Sequence, residues 1–434
     1  MDYQAAPEDE DANAISDAPG IEYEERQKKV DSQVINRVSS ELNRIYGKNG
    51  ESYQVPINAA HLSAFETFIR YLFDTDDVPY EIYKRNGIER VVTLKMARHM
   101  KMLPAYARIG SPSLAFPPDF DLFFSVYRTH EIRLYGFVDW EMEDDFRTKG
   151  AIDFIDPKHA HMAVDFVLTV RKEAKKTKLR SRMSDWRSAC RRNEDYLRNF
   201  LIEMFEEHGR VNAVDVVFLY RKAACENRGE VLARGIELQQ RNEEEYQKYL
   251  NGTELGEVPD QWVSLQELKN DLKNFFNNAR HKTSLFGKDK FIDYFARIEY
   301  TRDAGYHVHI CFFYKGSEVQ RDLWYSHAIG KFWQKITDGR GYYFSCNAKA
   351  AEGKYRNVGI GAIEHYDFEK IRHLWTAVSY FVKAATVVRV KHNGKQQMVL
   401  HGKRRKHVGA KLGRPRGEGL SGPEYREKLR KIFS

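Results

Sequence analysis

The sequence predicts an α+β fold: an antiparallel sheet with helices on one face and the other face open, preceded by an N-terminal accessory region. Three observations carry this expectation. FIDYFARIEYT (291–301) and YHVHICFFY (306–314) alternate apolar and polar residues on either side of Arg302, Asp303, Ala304 and Gly305, which are turn residues. Short apolar runs such as VDVVFLY (214–220), GYYFSC and VGIGAIEH are separated by stretches of helical spacing. DFEKIRHLWTAVSYFVKAA (367–385) sets Phe368, Ile371, Leu374, Trp375, Val378, Phe381, Val382 and Ala385 on one helix face.

The elements follow in order. Residues 1–25 hold nine acidic side chains and no Lys or Arg, the pattern of a solvated tail without a core. Val30, Val34, Ile35, Val38, Leu42 and Ile45 repeat at helical spacing over 26–48, and HLSAFETFIRYLF (61–73) predicts a second helix. A mixed accessory domain is expected over 26–159, broken by the Pro-rich SPSLAFPPDFD, and the domain carrying the hairpin over 160–400. DFVLTV (165–170) reads as a buried strand, and a helix then runs to about His208. Between 171 and 192 stand ten Lys and Arg against two acids. Helices are expected up to Leu250 and across SLQELKNDLKNFFNNARHKTSLF, and another after the hairpin carries Leu323, Trp324, Ile329, Phe332, Trp333 and Ile336. Residues 401–434 form a basic tail.

At 434 residues the chain can bury a sizeable core. Its net charge of +8 points towards a polyanionic partner. No apolar run approaches the ~20 residues of a membrane span. Cys190, Cys225, Cys311 and Cys346 are scattered without a C-x-x-C pair, which suits reduced core residues in a cytoplasm.

Side chains alternate along a strand, so His307 and His309 share a face with Arg297 and Glu299 while Val308, Ile310, Phe312 and Tyr314 turn to the core. With the turn centred near Asp303, Glu299 stands opposite His307. Two imidazoles and a carboxylate then meet at one spot, either as three ligands for a divalent cation or as polar residues on a solvated sheet face. With 15 histidines, about half an H-x-H is expected from composition alone. The second one, His159-Ala160-His161, follows Asp-Pro-Lys in a predicted turn with no carboxylate in view and reads as a surface feature.

On the helix at 367–385, Tyr380 lies nearly opposite the apolar stripe, with Lys383 three residues on and His373 and Thr376 along the same side. This is either a phenol and an ammonium set for chemistry or an ordinary exposed face. A second Tyr-x-x-Lys, Tyr425 to Lys428, sits in the polar tail with no long apolar stripe to hold it.

A strand carrying H-hydrophobic-H, a glutamate eight residues before it and Tyr-x-x-Lys on a later helix resemble the HUH endonuclease superfamily. ARIEYTRDAGYHVHICFFYKG, VSYFVKAATVVRVK and the basic GKRRKHVGAKLGRPRG look most like single-tyrosine replication initiators of inoviruses (filamentous phages) and their prophage relatives. DFVLTV is similar to their first strand motif, and the resemblance spans roughly 160–417. It implies an RRM-like palm in which Glu299, His307 and His309 hold Mg²⁺ or Mn²⁺ and Tyr380, helped by Lys383, attacks single-stranded DNA. The product would be a 5′-phosphotyrosine and a free 3′-OH that starts rolling-circle replication of a phage or plasmid genome. Arg171, Lys172, Lys175, Lys176, Arg180, Arg182, Arg297, Lys403, Arg404, Arg405 and Lys406 would hold phosphates. The implied partners are single-stranded or hairpin origin DNA and a host helicase and polymerase, in a bacterial cytoplasm. Two alternatives stand beside it: a transposase or relaxase of the same superfamily, and a non-catalytic DNA-binding protein on the same fold.

Overall fold

The computed structural model describes residues 33–48, 50–55, 61–111, 114–134, 156–251, 263–301, 303–390, 397–402 and 422–433. The acidic segment 1–25 and the basic segment 403–416 lie outside the described residues.

The first part of the chain is mixed. Helix α1 (33–42) leads into strands β1 (Arg44–Gly47) and β2 (Ser52–Gln54), then helix α2 (Leu62–Asp74). The hairpin β3 (Tyr80–Arg85) and β4 (Ile88–Thr93) follows, with α3 (Leu103–Ala107), β5 (Leu114–Ala115) and α4 (Pro118–Thr129) after it. Ile45, expected on the first helix, is instead a strand residue paired with Tyr53. Two long helices come next, α5 (Pro157–Lys176) and α6 (Leu179–Glu207).

DFVLTV is not a strand. It lies inside α5, which starts at the Asp156 cap and Pro157. Ala160, Ala163, Phe166, Val167 and Val170 are its buried residues, a spacing of three and four that fits a helix face and not an alternating strand.

The strand that opens the sheet is β6 (Arg210–Tyr220), followed by β7 (Ala224–Cys225) and helices α7 (Arg228–Leu250), α8 (Leu265–Ala279) and α9 (Thr283–Phe286). The predicted hairpin is β8 (Phe291–Thr301) and β9 (Gly305–Lys315). Helix α10 (Asp322–Ile336), β10 (Gly341–Ser345), α11 (Cys346–Ala351) and β11 (Gly361–Glu364) lead to helix α12 (Phe368–Lys383). The short strands β12 (Arg389–Val390) and β13 (Val399–His401) and helix α13 (Pro423–Ile432) complete the chain.

The fold is α+β. Its main sheet has the order β10-β6-β9-β8-β13, with β11 added beside the first half of β6, and all its pairings are antiparallel. Both faces of this sheet are covered, whereas one was expected to be open. On one face Val214, Val216, Phe218 and Tyr220 of β6 and Val308, Ile310, Phe312 and Tyr314 of β9 pack with α8 and α10. On the other face Val211, Ala213, Val217, Leu219, Cys311 and Phe313 join the apolar sides of α6 and α12. Strands that are apolar on both sides need two covers, and β6 reads VNAVDVVFLY almost without a polar break.

The same second core extends to Ile35 and Val38 of α1, Phe65 of α2 and Phe123 of α4, so the N-terminal elements pack into it. β5 pairs with β12, and β1 runs parallel to β7, which ties the N-terminal elements to later parts of the chain. The loop before β11 crosses α12 at Gly359, where a Cβ would lie 2.2 Å from the His373 carbonyl carbon; only glycine allows this approach. That contact fixes α12 against the sheet.

Candidate active site

The hairpin has the register that the alternation predicts: Glu299 faces His307 and Arg297 faces His309. Gly305 takes φ +63° at the turn, and Thr301 Oγ1 accepts a hydrogen bond from Ala304 N. Because α6 and α12 cover this face, the four side chains are buried and not solvated.

Their contacts divide them into two groups. His307 Nε2 lies 3.5 Å from Glu299 Oε2, and Arg297 Nε lies 3.5 Å from Glu299 Oε1. His307 Nδ1 lies 3.1 Å from the Gly305 carbonyl oxygen. That contact orients the ring so that Nε2 faces the Glu299 carboxylate, to which it donates when protonated and beside which it offers a lone pair to a cation when not. His307 Nε2 and Glu299 Oε1 are buried polar atoms without a hydrogen-bond partner. Burial works to raise the Glu299 carboxyl, but His307, His309 and Arg297 outweigh it and hold it at about 2.

His309 turns the other way. Its Nε2 is 2.8 Å from Asp215 Oδ1 on β6 and 3.8 Å from Cys346 Sγ at the start of α11. Asp215, His309 and Cys346 bring one ligand atom each within 4.8 Å of one another, all three buried, so they form a group that could hold a metal ion. Among the described residues this is the group of three that meets that distance, and it is not Glu299, His307 and His309. Burial opposes a charge on His309, yet Asp215 outweighs it and raises the imidazole well above its ordinary value. Asp215 and Cys346 were not foreseen. The alternation of Val214, Val216, Phe218 and Tyr220 in β6 puts Asp215 on the histidine side and was the available signal.

Helix α12 starts at Asp367, whose side chain accepts from Lys370 N, and lies across the histidine face. The Phe381 ring is 4.7 Å from the His309 ring, and the Phe381 carbonyl accepts from Arg297 Nη1 at 3.1 Å. Tyr380 was expected on an exposed side of this helix; it is only 4% exposed, because α1 covers it. The Arg37 guanidinium carbon sits 4.1 Å from the Tyr380 ring centroid, and Arg37 Nη1 donates to the Ala377 carbonyl at 3.0 Å. Burial first, then Glu299 and Glu41, push the Tyr380 phenol well above its ordinary value, against Arg297 and Arg37. Tyr380, Glu299, Arg297, Asn193, Arg389 and His401 line one cavity of about 320 Å³. His307, 1% exposed, is not part of its wall.

Lys383 does not share this cavity. Its Nζ lies 3.3 Å from Glu194 Oε1 on α6 and 5.5 Å from the Trp375 ring centroid, in the wall of a second cavity of about 330 Å³. The cations beside Tyr380 are therefore Arg37 and Arg297.

The basic residues also separate. Arg171 donates to the carbonyls of Leu72, Thr75, Asp76 and Asp77, closing the end of α2, which makes it a structural residue. Arg297 is buried and bonded within the core. Lys172, Lys175, Lys176, Arg180 and Arg182 are exposed on α5 and α6, while Lys403, Arg404, Arg405 and Lys406 lie outside the described residues. Tyr306 and Tyr314 pack into the α8–α10 core with Tyr300 against it, away from the histidines. Tyr425 corrects the expectation of a loose tail: it is 1% exposed, donates to the His365 carbonyl at 2.7 Å, and is held by Leu429 and Phe433 beside it in the core. His159 and His161 lie in α5, not in a turn, and His161 Nε2 meets Glu89 Oε2 at 3.2 Å.

All four cysteines are free and buried, and among the described residues no helix is long and apolar enough to cross a membrane. No protein-family model, no curated protein and no solved structure matches the chain.

Proposed function

We propose that this chain is a single-tyrosine DNA-nicking and -joining enzyme of the HUH type that initiates rolling-circle replication. The observation that carries the reading is the pairing of Glu299 with His307 across the hairpin, with Glu299 opening into the same cavity as Tyr380. A non-catalytic DNA-binding protein would have no need of this combination.

Two imidazoles and a carboxylate, with positions left for water and phosphate oxygens, would hold Mn²⁺ and, less tightly, Mg²⁺. Glu299 and His307 offer buried atoms that lack partners, and His309 would complete the set by giving up Asp215. When bound, such a cation polarises the phosphodiester and neutralises Glu299, the charge that most opposes ionisation of Tyr380 after burial. Tyr380 Oη attacks phosphorus, forming the Tyr–O–P bond. The P–O3′ bond breaks, and the phenolic proton ends on the departing 3′ oxygen, giving a 5′-phosphotyrosine and a free 3′-OH. Arg297 and Arg37 lower the energy of the phenolate, and Arg297 with Arg389 faces the anionic backbone in the cavity. The exposed cations of α5 and α6 hold flanking phosphates without reading sequence. The joining reaction is the reverse, with a 3′-OH attacking the same phosphotyrosine.

The test is incubation of the protein with single-stranded DNA and Mn²⁺, followed by denaturing electrophoresis. A protein–DNA adduct that forms with Mn²⁺ and disappears with EDTA supports the reading. Adduct formation undiminished in EDTA contradicts it.

A further inference from the structure

We infer that Asp215, His309 and Cys346 form a site for a thiophilic divalent cation of the Zn²⁺ type, distinct in its ligands from the Glu299–His307 contact and sharing only His309 with it. This site needs no nuclease activity, but a cation here and one at Glu299 and His307 would compete for His309 Nε2.

The donor set is the first argument. A thiolate, an imidazole and a carboxylate select zinc-like ions and disfavour Mg²⁺, which takes oxygen ligands. With Asp215 and Cys346 deprotonated and His309 neutral, the ligands carry two negative charges, which a dication balances.

Geometry is the second. Tetrahedral zinc with bonds of about 2.0 Å to nitrogen and oxygen and about 2.3 Å to sulfur places ligand atoms roughly 3.3–3.6 Å apart. His309 Nε2 and Cys346 Sγ are 3.8 Å apart, and His309 Nε2 and Asp215 Oδ1 are 2.8 Å apart, so one contact closes and the other opens by a fraction of an ångström. Asp215 Oδ1, on a residue 4% exposed, is a buried oxygen whose short contact is the 2.8 Å one with His309 Nε2.

The frame is the third. Asp215 N donates to Asn347 Oδ1 at 2.7 Å, and Asn347 Nδ2 donates to the Ala213 carbonyl at 3.1 Å, which locks the start of α11 to β6. Those two bonds hold Cys346 and Asp215 on either side of His309 without help from a metal. The Phe381 ring closes one side of the imidazole. The three side chains leave a fourth tetrahedral position for water.

The experiment uses Co²⁺ as a spectroscopic probe on the full chain stripped with a chelator. One equivalent of Co²⁺ should produce a sulfur-to-cobalt charge-transfer band in the near ultraviolet and tetrahedral bands in the visible, and Zn²⁺ should bleach both. Cys346→Ser should lose the charge-transfer band, Asp215→Asn should weaken Co²⁺ binding at least about tenfold, and Cys190→Ser should keep both. Circular dichroism verifies that each variant is folded. Wild-type protein that gives no charge-transfer band overturns the site, leaving a His309–Asp215 ion pair beside a thiol. A band that persists in folded Cys346→Ser overturns it as well. Both sites draw on His309 Nε2, so Zn²⁺ held here would compete with Mn²⁺-dependent adduct formation at Tyr380; the Co²⁺ bands test this site and the adduct, assayed on stripped protein with Mn²⁺ alone, tests the nuclease reading.

Discussion

Glu299 and His307 face each other from adjacent strands, Oε2 to Nε2 at 3.5 Å, in a core that leaves His307 Nε2 and the other carboxylate oxygen, Oε1, without a hydrogen-bond partner. A buried carboxylate and a bare imidazole nitrogen at that distance share a proton or a cation. Substituting His307→Ala or Glu299→Gln should lower Mn²⁺ affinity at least about tenfold while single-stranded DNA binding is retained, since the exposed cations lie on α5 and α6. Calorimetric titration of Mn²⁺ reads this; equal affinity in wild type and His307→Ala refutes the cation role.

Arg37 holds α1 over Tyr380 by its stacking on the ring and its bond to Ala377. A cation–π contact of about 1 kcal/mol corresponds to about a fivefold change in the population of an opened state. Arg37→Ala should therefore speed nitration of Tyr380 severalfold, measured by peptide mapping, with Tyr425 unchanged. An unaltered rate at Tyr380 would show that α1 is held there by other contacts.

Lys383 and Arg297 should behave differently, although both were expected near DNA chemistry. Lys383 pairs with Glu194 in a separate cavity, so Lys383→Met should cost about 1–2 kcal/mol of stability and leave adduct formation intact. Arg297→Gln should slow adduct formation, because Arg297 contacts both Glu299 and the helix that carries Tyr380. The opposite pattern would return the catalytic role to Lys383.

The part of the site that could be read in the sequence is the part fixed by local geometry. A turn and strict alternation set the β8–β9 register, and with it the pairing of Glu299 with His307 and the turning away of Tyr306 and Tyr314. What escaped depends on elements distant in the chain. Asp215 and Cys346 reach His309 through the order of strands in the sheet, and Arg37 reaches Tyr380 through the packing of α1. The burial of the polar face under α6 and α12 was implicit in the apolar residues on both sides of β6, but a pattern of alternation alone assigns one side to water. DFVLTV misled because the five residues after Asp165 suit strand or helix until Ala160 and Ala163 are included.

Asp303 gives a pH dependence. Burial pushes its carboxyl up to about 7, against the pull of Arg234, whose Nε lies 3.4 Å from Oδ1. In the unfolded chain the group titrates near ~3.9, so between these values the folded state binds the extra proton. Stability from this group is full below about pH 4, falls as pH rises, and levels above about pH 7. Asp303→Asn should gain stability relative to wild type over that window, read as the difference in urea midpoint. A difference that does not change with pH contradicts the raised value.

The most direct measurement of the central claim is the position of the covalent link. Protein incubated with single-stranded DNA and Mn²⁺ is digested with protease and nuclease, and the modified peptide is sequenced by mass spectrometry. The account predicts a nucleotide on Tyr380, lost in Tyr380→Phe and retained in Tyr306→Phe and Tyr425→Phe. A phosphotyrosine at any other position, or an adduct that survives Tyr380→Phe, contradicts it.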